Sequence, residues 1–488
     1  MTTVEKPVPA HKDRSFFGQP RALANIFGVE MWERFSFYGM QGILLLYLYY
    51  SAAEGGLGIE QATAAGIVGA YGGGVYLSTI LGAWIADRVL GSERVLFYSA
   101  IVIMLGHLAL ALVPGVAGVT VGLLLIALGS GGLKANATSV VGSLYTRDDP
   151  RLDAGFSLFY LGINLGAFFG PILTGLLQTT AGFHFGFGLA AVGMAIGLTQ
   201  YSFGRRSLPE IVHQVPNPLP RSRWTPYLVG AVTAAVLVVV LVLVGVITAD
   251  GLVTLVIALT IIATISYFVV ILRNRQISIV ERKRVYAFIP LFLASAVFWS
   301  LSQQQFTVVT IYTDERLDRH LFGWEIPVSW IQSFNPVFII LLSGVFAALW
   351  TRWGSRQPST PVKFALGTAV MGVAFLGFLP FVGGGANSTP MLAMIGILFV
   401  LTVAELLIGP VGLALTTKLA PAPFRTQMVA LFFLSIALGT AVSGSLAQWY
   451  TEVPETLYFS VIGGVAILFG IGLAVFARPV LRLMGGVR

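Results

Sequence analysis

Three ionisable residues, Glu30, Glu33 and Arg34, fall within about one helical turn of the segment EMWERFSFYG, inside a stretch otherwise apolar enough for lipid. Lys134, Glu405 and the run Gln303-Gln304-Gln305 are further polar intrusions into long apolar segments. Ionisable groups at bilayer depth are costly and mark substrate pathways or proton relays. Glu30 and Arg34 are spaced i, i+4 with the acid first, so they can pair along one helix face. Together with Lys134 the set is neutral when fully ionised and singly positive once it takes up a proton. A protonated cluster can therefore hold an anionic group that the ionised cluster holds poorly. Glu405 has no basic partner within its own apolar segment; it is either a neutral, hydrogen-bonded acid or a carboxylate waiting for a cation. Cations in one half and a carboxylate in the other suit a zwitterion. An extended chain covers about 3.3–3.6 Å per residue, so a di- or tripeptide reaches across a small cavity where a single amino acid falls short. The plainer alternative is that these charges only tie the first segment to the fourth as structural ion pairs.

The elements that must position these groups are apolar helices. The chain has 488 residues, of which 56% are hydrophobic and 10% charged, whereas a soluble domain carries roughly 25% charged residues. Apolar stretches near 23–50, 61–86, 94–115, 117–142, 156–180 and 184–204 precede a polar, proline-rich link. Two very apolar stretches, 226–248 and 252–272, follow; six more lie near 286–312, 327–351, 361–383, 389–417, 426–450 and 457–477. Each reaches the roughly 20 residues that span a bilayer. The expected fold is an all-α polytopic membrane protein of 14 helices, six plus six with two inserted. Its divisions are a tail 1–22, a bundle 23–204, a linker with the extra pair 205–285, a second bundle 286–477 and a tail 478–488. No short basic leader with a cleavage site precedes the first span, which is expected to be permanent. Gly409, Pro410 and Gly412 predict a broken helix beside a cavity, and the inserted pair, almost free of polar residues, predicts lipid-facing scaffold.

With both termini placed inside, all but four of the 29 Lys and Arg fall on the cytoplasmic side or tails; the exceptions are Arg34, Lys134, Arg316 and Arg319. That is the positive-inside signature, and it accounts for the net charge of +8 without nucleic acid. Cys is absent and the five His do not cluster, so thiol chemistry, disulfides and a Cys/His metal site are not expected. His107 and His184 read as hydrogen-bonded structural residues. No G-x-x-x-x-G-K-[ST] pattern occurs, which argues against ATP as the energy source. An enzyme would need a nucleophile–base set or metal ligands at depth, and none is evident.

EMWERFSFYG is similar to the ExxERFxYY signature of the proton-coupled oligopeptide transporters, within the major facilitator superfamily. The resemblance continues through GAYGGGVYLSTILGAWIAD (69–87), GSGGLKANATSVVGSLY (129–145), GFSLFYLGINLGAFFGP (155–171), QSFNPVFI (332–339), KFALG (363–367) and ELLIGPVGLALTTKLAP (405–421). The superfamily's loop motif stands as Gly82, Asp87, Arg88 and Gly91, and the inserted pair resembles the extra helices of bacterial members. The resemblance implies that Glu30, Glu33, Arg34 and Lys134 couple protons and that Arg34 and Lys134 receive a peptide carboxylate. It implies that Glu405 takes the peptide ammonium, that Tyr38, Tyr76, Asn164 and Asn335 line the pocket, and that Trp299 shapes side-chain space. Gln41 and Gln303 would belong to the same site, and Asp87 with Arg88 to a cytoplasmic gate.

Four positions depart from the family pattern. Phe37 replaces the signature's first Tyr, and Phe432 stands where many members carry Trp. Gln41 and Gln303 stand where many carry an Arg and a Glu that pair as an outer gate. The implied activity is proton-driven symport of di- and tripeptides across a bacterial plasma membrane by a monomer, using the proton gradient and no cofactor. Transport of a drug, an amino acid or nitrate, or a peptide receptor that moves nothing, are the alternatives.

Overall fold

The computed structural model describes residues 15–146 and 149–485, without the side chains of Ser355, Pro410 and Leu413. The first bundle is built from α1 (Arg21–Tyr49), α2 (Gln61–Ile85), α3 (Ser92–Leu112), α4 (Gly115–Ser143), α5 (Leu152–Ala181) and α6 (Phe183–Gly204). The inserted pair is α7 (Trp224–Leu243) and α8 (Leu252–Arg273). The second bundle comprises α9 (Ile279–Ser302) with α10 (Val308–Arg316), α11 (Phe334–Trp353), α12 (Thr360–Leu376), α13 (Met391–Leu419), α14 (Arg425–Glu452) and α15 (Glu455–Leu483). Among the described residues, 13 helical stretches are long and apolar enough to cross a membrane, with α9 and α10 forming one of them. Helix α1 is the fourteenth. At 29 residues it is as long as its neighbours, but Glu30, Glu33, Arg34 and Gln41 lower its hydropathy. The even number of crossings returns both ends of the chain to one face, called here the terminal end.

Within the first bundle α1 packs on α5 and α6, and α3 on α4 and α6; within the second, α12 packs on α13 and α15, and α9 on α14. The bundles meet along α2–α14 and α5–α11. At α2–α14 a Cβ added to Gly69 would lie 2.3 Å from the Gly444 Cα, so the two backbones touch with no side chain between them. Lipid supplies little hydrophobic drive for helix association, and close backbone approach through small residues takes its place.

The seventh bundle span is not one continuous helix. Gln303–Phe306 form a 3-10 turn and Thr307 leaves helical geometry, with φ −127° and ψ −92°. Non-helical backbone at membrane depth needs its polar groups satisfied by protein. Thr310 Oγ1 donates to the Gln305 carbonyl at 2.9 Å, and Tyr458 donates to Gln304 Oε1 at 2.9 Å. Helix α13, by contrast, runs unbroken through Gly409 and Gly412, so the predicted break there is corrected; the side chain of Pro410 lies outside the described residues.

The inserted pair divides into two roles. Helix α7 buries no residue. Helix α8 buries Val253, Thr260, Thr264 and Ile271, a stripe along one face, against α2 and α14. The expectation of peripheral scaffold thus suits α7, whereas α8 covers the seam between the bundles. The link before the pair is strapped to the terminal end: Arg205 grips the fully buried Glu93 at 2.7 and 2.9 Å and lies over the Phe97 ring at 3.8 Å. Asn217 and Leu219 donate their backbone N–H groups to the carbonyls of Asp87 and Arg88 at 2.9 and 2.8 Å. Gly91, at φ +82°, makes room for this strap, since a Cβ there would meet the Gln214 carbonyl oxygen at 2.9 Å. At the opposite end β1 (His320–Leu321) and β2 (Trp324–Glu325) form a short hairpin.

Candidate functional site

Helix α1 carries the charged cluster because its i, i+4 spacing stacks Glu30 against Arg34. Glu30 Oε1 accepts from Arg34 Nη2 at 2.6 Å and from Nε at 2.8 Å, while Glu33 Oε2 lies 3.3 Å from the same Nε. Ser130 of α4 donates to Glu33 Oε1 at 3.2 Å. All three charged residues are buried, and Glu30 Oε2 has no partner. Lys134, also buried on α4, is held differently. Its Nζ lies 4.3 Å from the Phe37 ring centroid and 5.9 Å from that of Tyr76, and it pairs with no carboxylate among the described residues. Cation–π contact offsets part of the cost of burying the ammonium without neutralising it. The hydrogen bond that ties the first and fourth spans here is Ser130's, while Lys134 meets α1 through the Phe37 ring rather than through a carboxylate.

Between the bundles lies a cavity of about 640 Å³. Tyr38, Tyr76, Asn164, Trp299, Gln303, Asn335 and Glu405 all line it, drawn from α1, α2, α5, the seventh span, α11 and α13. Glu405 is the only charged residue among the described lining residues, and Asn335 Nδ2 donates to it at 2.9 Å. Trp299 Nε1 is buried without a partner, which leaves a hydrogen-bond donor in the wall. Arg34, Lys134, Glu30 and Glu33 are not among the described lining residues; they are set back in the first bundle, with Lys134 Nζ within 5.9 Å of the ring centroid of Tyr76, which does line it. Gln41 is buried off the cavity wall with Oε1 unpartnered, and it makes no hydrogen bond to Gln303. Phe432 likewise is absent from the lining.

Sequence reasoning passed over Tyr160 and Gln332 and gave Gln305, noted in the glutamine run, no place in the site; all three line the cavity. Tyr160 was findable: it precedes Asn164 by one turn of α5, and its carbonyl accepts from Asn164 Nδ2 at 2.8 Å. Asp87 and Arg88, the expected gate, lie at the terminal end of α2 and engage the strap through their carbonyls; Asp87 makes no ion pair among the described residues. His184 meets the Leu110 carbonyl at 3.0 Å, as expected, but neither ring nitrogen of His107 has a partner among the described residues, which corrects the reading of that residue. Among the described residues no group of three or more His, Cys, Asp or Glu could hold a metal ion.

The end opposite the termini is sealed. Tyr49 and Tyr50 of α1 donate to Asp314 of α10 at 2.5 and 2.7 Å, and Gln61 donates to Glu315 at 2.9 Å. Ser329, Trp330 and Ser333 donate to the carbonyls of Pro171, Ile172 and Phe168 on α5, at 2.8, 3.0 and 2.8 Å.

Two six-helix bundles closed at one end over a largely apolar cavity set with Glu405, Asn164, Asn335 and Gln303 define a transporter of the major facilitator fold. The sequence profile of the POT family matches residues 93–465, and the chain belongs to that family. It is 40% identical to a di-/tripeptide transporter of Lactococcus lactis subsp. lactis, over 98% of this chain and 99% of the relative. An uncharacterised transporter of Bacillus subtilis is 41% identical over 99% of this chain and 98% of its own length. Among solved structures, a peptide transporter POT in complex with sulfate superposes with a TM-score of 0.92 at 44% identity, covering 97% of this chain and 98% of that one.

Proposed function

We propose that this protein imports di- and tripeptides together with protons across the bacterial plasma membrane, with both termini in the cytoplasm. The observation that carries this reading is the central cavity, where Glu405 is the one acid among the described lining residues and Tyr76, also in the lining, has Lys134 Nζ 5.9 Å from its ring centroid. A cavity of about 640 Å³ lies within the roughly 300–1,000 Å³ typical of small-molecule sites. Glu405 receives the peptide ammonium. Tyr38, Tyr76, Asn164 and Asn335 hydrogen-bond its backbone, and Trp299 and Gln303 bound its side chains. The carboxylate end is drawn to Arg34 and Lys134.

Proton coupling lies in the α1 cluster. When both acids are ionised, Arg34 is neutralised by Glu30 and Glu33. Counted with Lys134 the four groups sum to zero, so one proton on the pair leaves the set singly positive and loosens the hold on the guanidinium, which can then attract an anion. The two carboxylates share one cation, so the titration belongs to the cluster rather than to either residue. The bundles 23–204 and 286–477 act as the rocking units, and a ligand shifts their equilibrium only through different contacts in the two states. The sealed outer end makes the described state inward-facing. We read a monomer in the bilayer as the working unit, with the proton gradient as energy source.

The test is reconstitution. Proteoliposomes should acidify internally when dialanine is added outside under an imposed pH gradient, and preloaded dialanine should drive counterflow. Binding without counterflow would instead establish a receptor, and preference for single amino acids or nitrate would establish another cargo.

A further inference from the structure

Toward the terminal end the central cavity is followed by a second hollow of about 850 Å³, which shares Ser157, Tyr160 and Leu406 with it. Its walls come from both bundles: α5 on one side, α11, α12, α13 and α15 on the other. Two lysines, Lys363 and Lys418, line it, and no acidic residue is among the described lining residues.

Lys363 is only 7% exposed. Its Nζ lies 4.2 Å from the Trp350 ring centroid and donates to Gln357 Oε1 at 2.7 Å, and it pairs with no carboxylate among the described residues. An aromatic face and an amide oxygen hold the ammonium in place, but neither carries a negative charge, and a buried charge without a counter-ion is costly. Ser359 and Thr360, at the start of α12, line the same wall; Ser359 makes no side-chain cap bond, so the first-turn N–H groups add partial positive charge. A lysine serving lipid headgroups would reach outward to the interface. Lys363 instead sits in the wall of a hollow between the bundles, continuous with the central cavity.

We propose that this inner vestibule is a second, exit-side binding site, where Lys363 and Lys418 receive the carboxylate of a peptide leaving the central cavity. The proposal rests on the peptide-transport reading above. A site of this kind recognises the carboxylate and not the ammonium, because it holds no acid.

The probe is N-acetyl-dialanine, which keeps the carboxylate and lacks the ammonium, titrated onto the full chain in nanodiscs by equilibrium binding. The wild type is expected to bind two equivalents, with Lys363→Gln losing one, Lys134→Gln losing the other, and Lys363→Arg keeping both. Dialanine amide should not occupy the vestibule. A single equivalent in the wild type, or two in Lys363→Gln, overturns the proposal. Displacement by inorganic phosphate at the same concentration as N-acetyl-dialanine overturns the assignment to a peptide carboxylate. Failure of the transport reading shows separately, as absent dialanine-driven acidification in the wild type.

Discussion

Asn335 Nδ2 lies 2.9 Å from Glu405 Oε2 and 3.2 Å from Thr402 Oγ1, so one amide aims the cavity's lone carboxylate. A hydrogen bond to a charged group contributes about 1.5–3 kcal/mol. Asn335→Ala is expected to raise the KM for dialanine by roughly ten- to a hundredfold, since each 1.4 kcal/mol is about a factor of ten. Glu405→Gln should weaken dialanine while sparing a peptide whose amino group is already blocked. Concentration-dependent uptake of the two substrates checks both.

The Glu33–Arg34 contact and its Ser130 bond predict a split between driven and exchange transport. Outside acid loads the cluster and frees Arg34, so wild-type uptake should rise as external pH falls. Glu33→Gln is fixed in a proton-loaded charge state. Its pH profile should flatten and concentrative uptake should fall at least tenfold, while dialanine counterflow continues. Ser130→Ala should shift the profile without flattening it.

Tyr49 and Tyr50 close the outer end on Asp314. Replacing both with Phe removes two charge-assisted bonds, each about 1.5–3 kcal/mol before discount for partial exposure. The expected outcome is a larger outward-open population, read by spin-label distances between the outer ends of α1 and α10. An unchanged distance distribution would show that the seal is carried elsewhere.

Glu93→Ala strands Arg205 and unfastens the strap from α3. Breaking a buried pair costs about 3–5 kcal/mol; because the Arg205 side chain is 26% exposed, about 1–3 kcal/mol is expected here. A lowered melting temperature in detergent measures it. Arg205→Lys should recover part of the loss, because a single ammonium replaces only one arm of the fork.

The fourteen spans and their parity were legible in the sequence, because hydropathy and misplaced charge are properties of single segments, whereas Tyr38, Tyr76, Asn164, Trp299 and Asn335 entered through the family resemblance and Arg34, Lys134 and Gln41 are not among the described lining residues of the cavity. Glu30, Glu33 and Arg34 stood out for the same reason that α1 fails on apolarity alone. Less legible was anything decided by a neighbour. Lys134 was expected beside a carboxylate and rests on Phe37, the position where a family hydroxyl is missing. The glutamine run read only as a polar intrusion at depth, whereas Gln303 lines the cavity, Gln304 is engaged by Tyr458 and the Gln305 carbonyl by Thr310 at the break in the seventh span. Gly409 and Gly412 signalled a break in a helix that stays whole. Which face of α8 meets protein was signalled only by Thr260 and Thr264, one turn apart in an otherwise very apolar segment.

The contact of Gly69 with Gly444 has no interlocking side chains to withdraw, so a change of tilt between the bundles has nothing there to unlock. That makes it a natural fulcrum. Helix α8 rests on both banks of this fulcrum, through α2 and α14. A change of tilt at this contact would therefore bear on α8 from both sides, although the helix lines no part of the central cavity among the described residues.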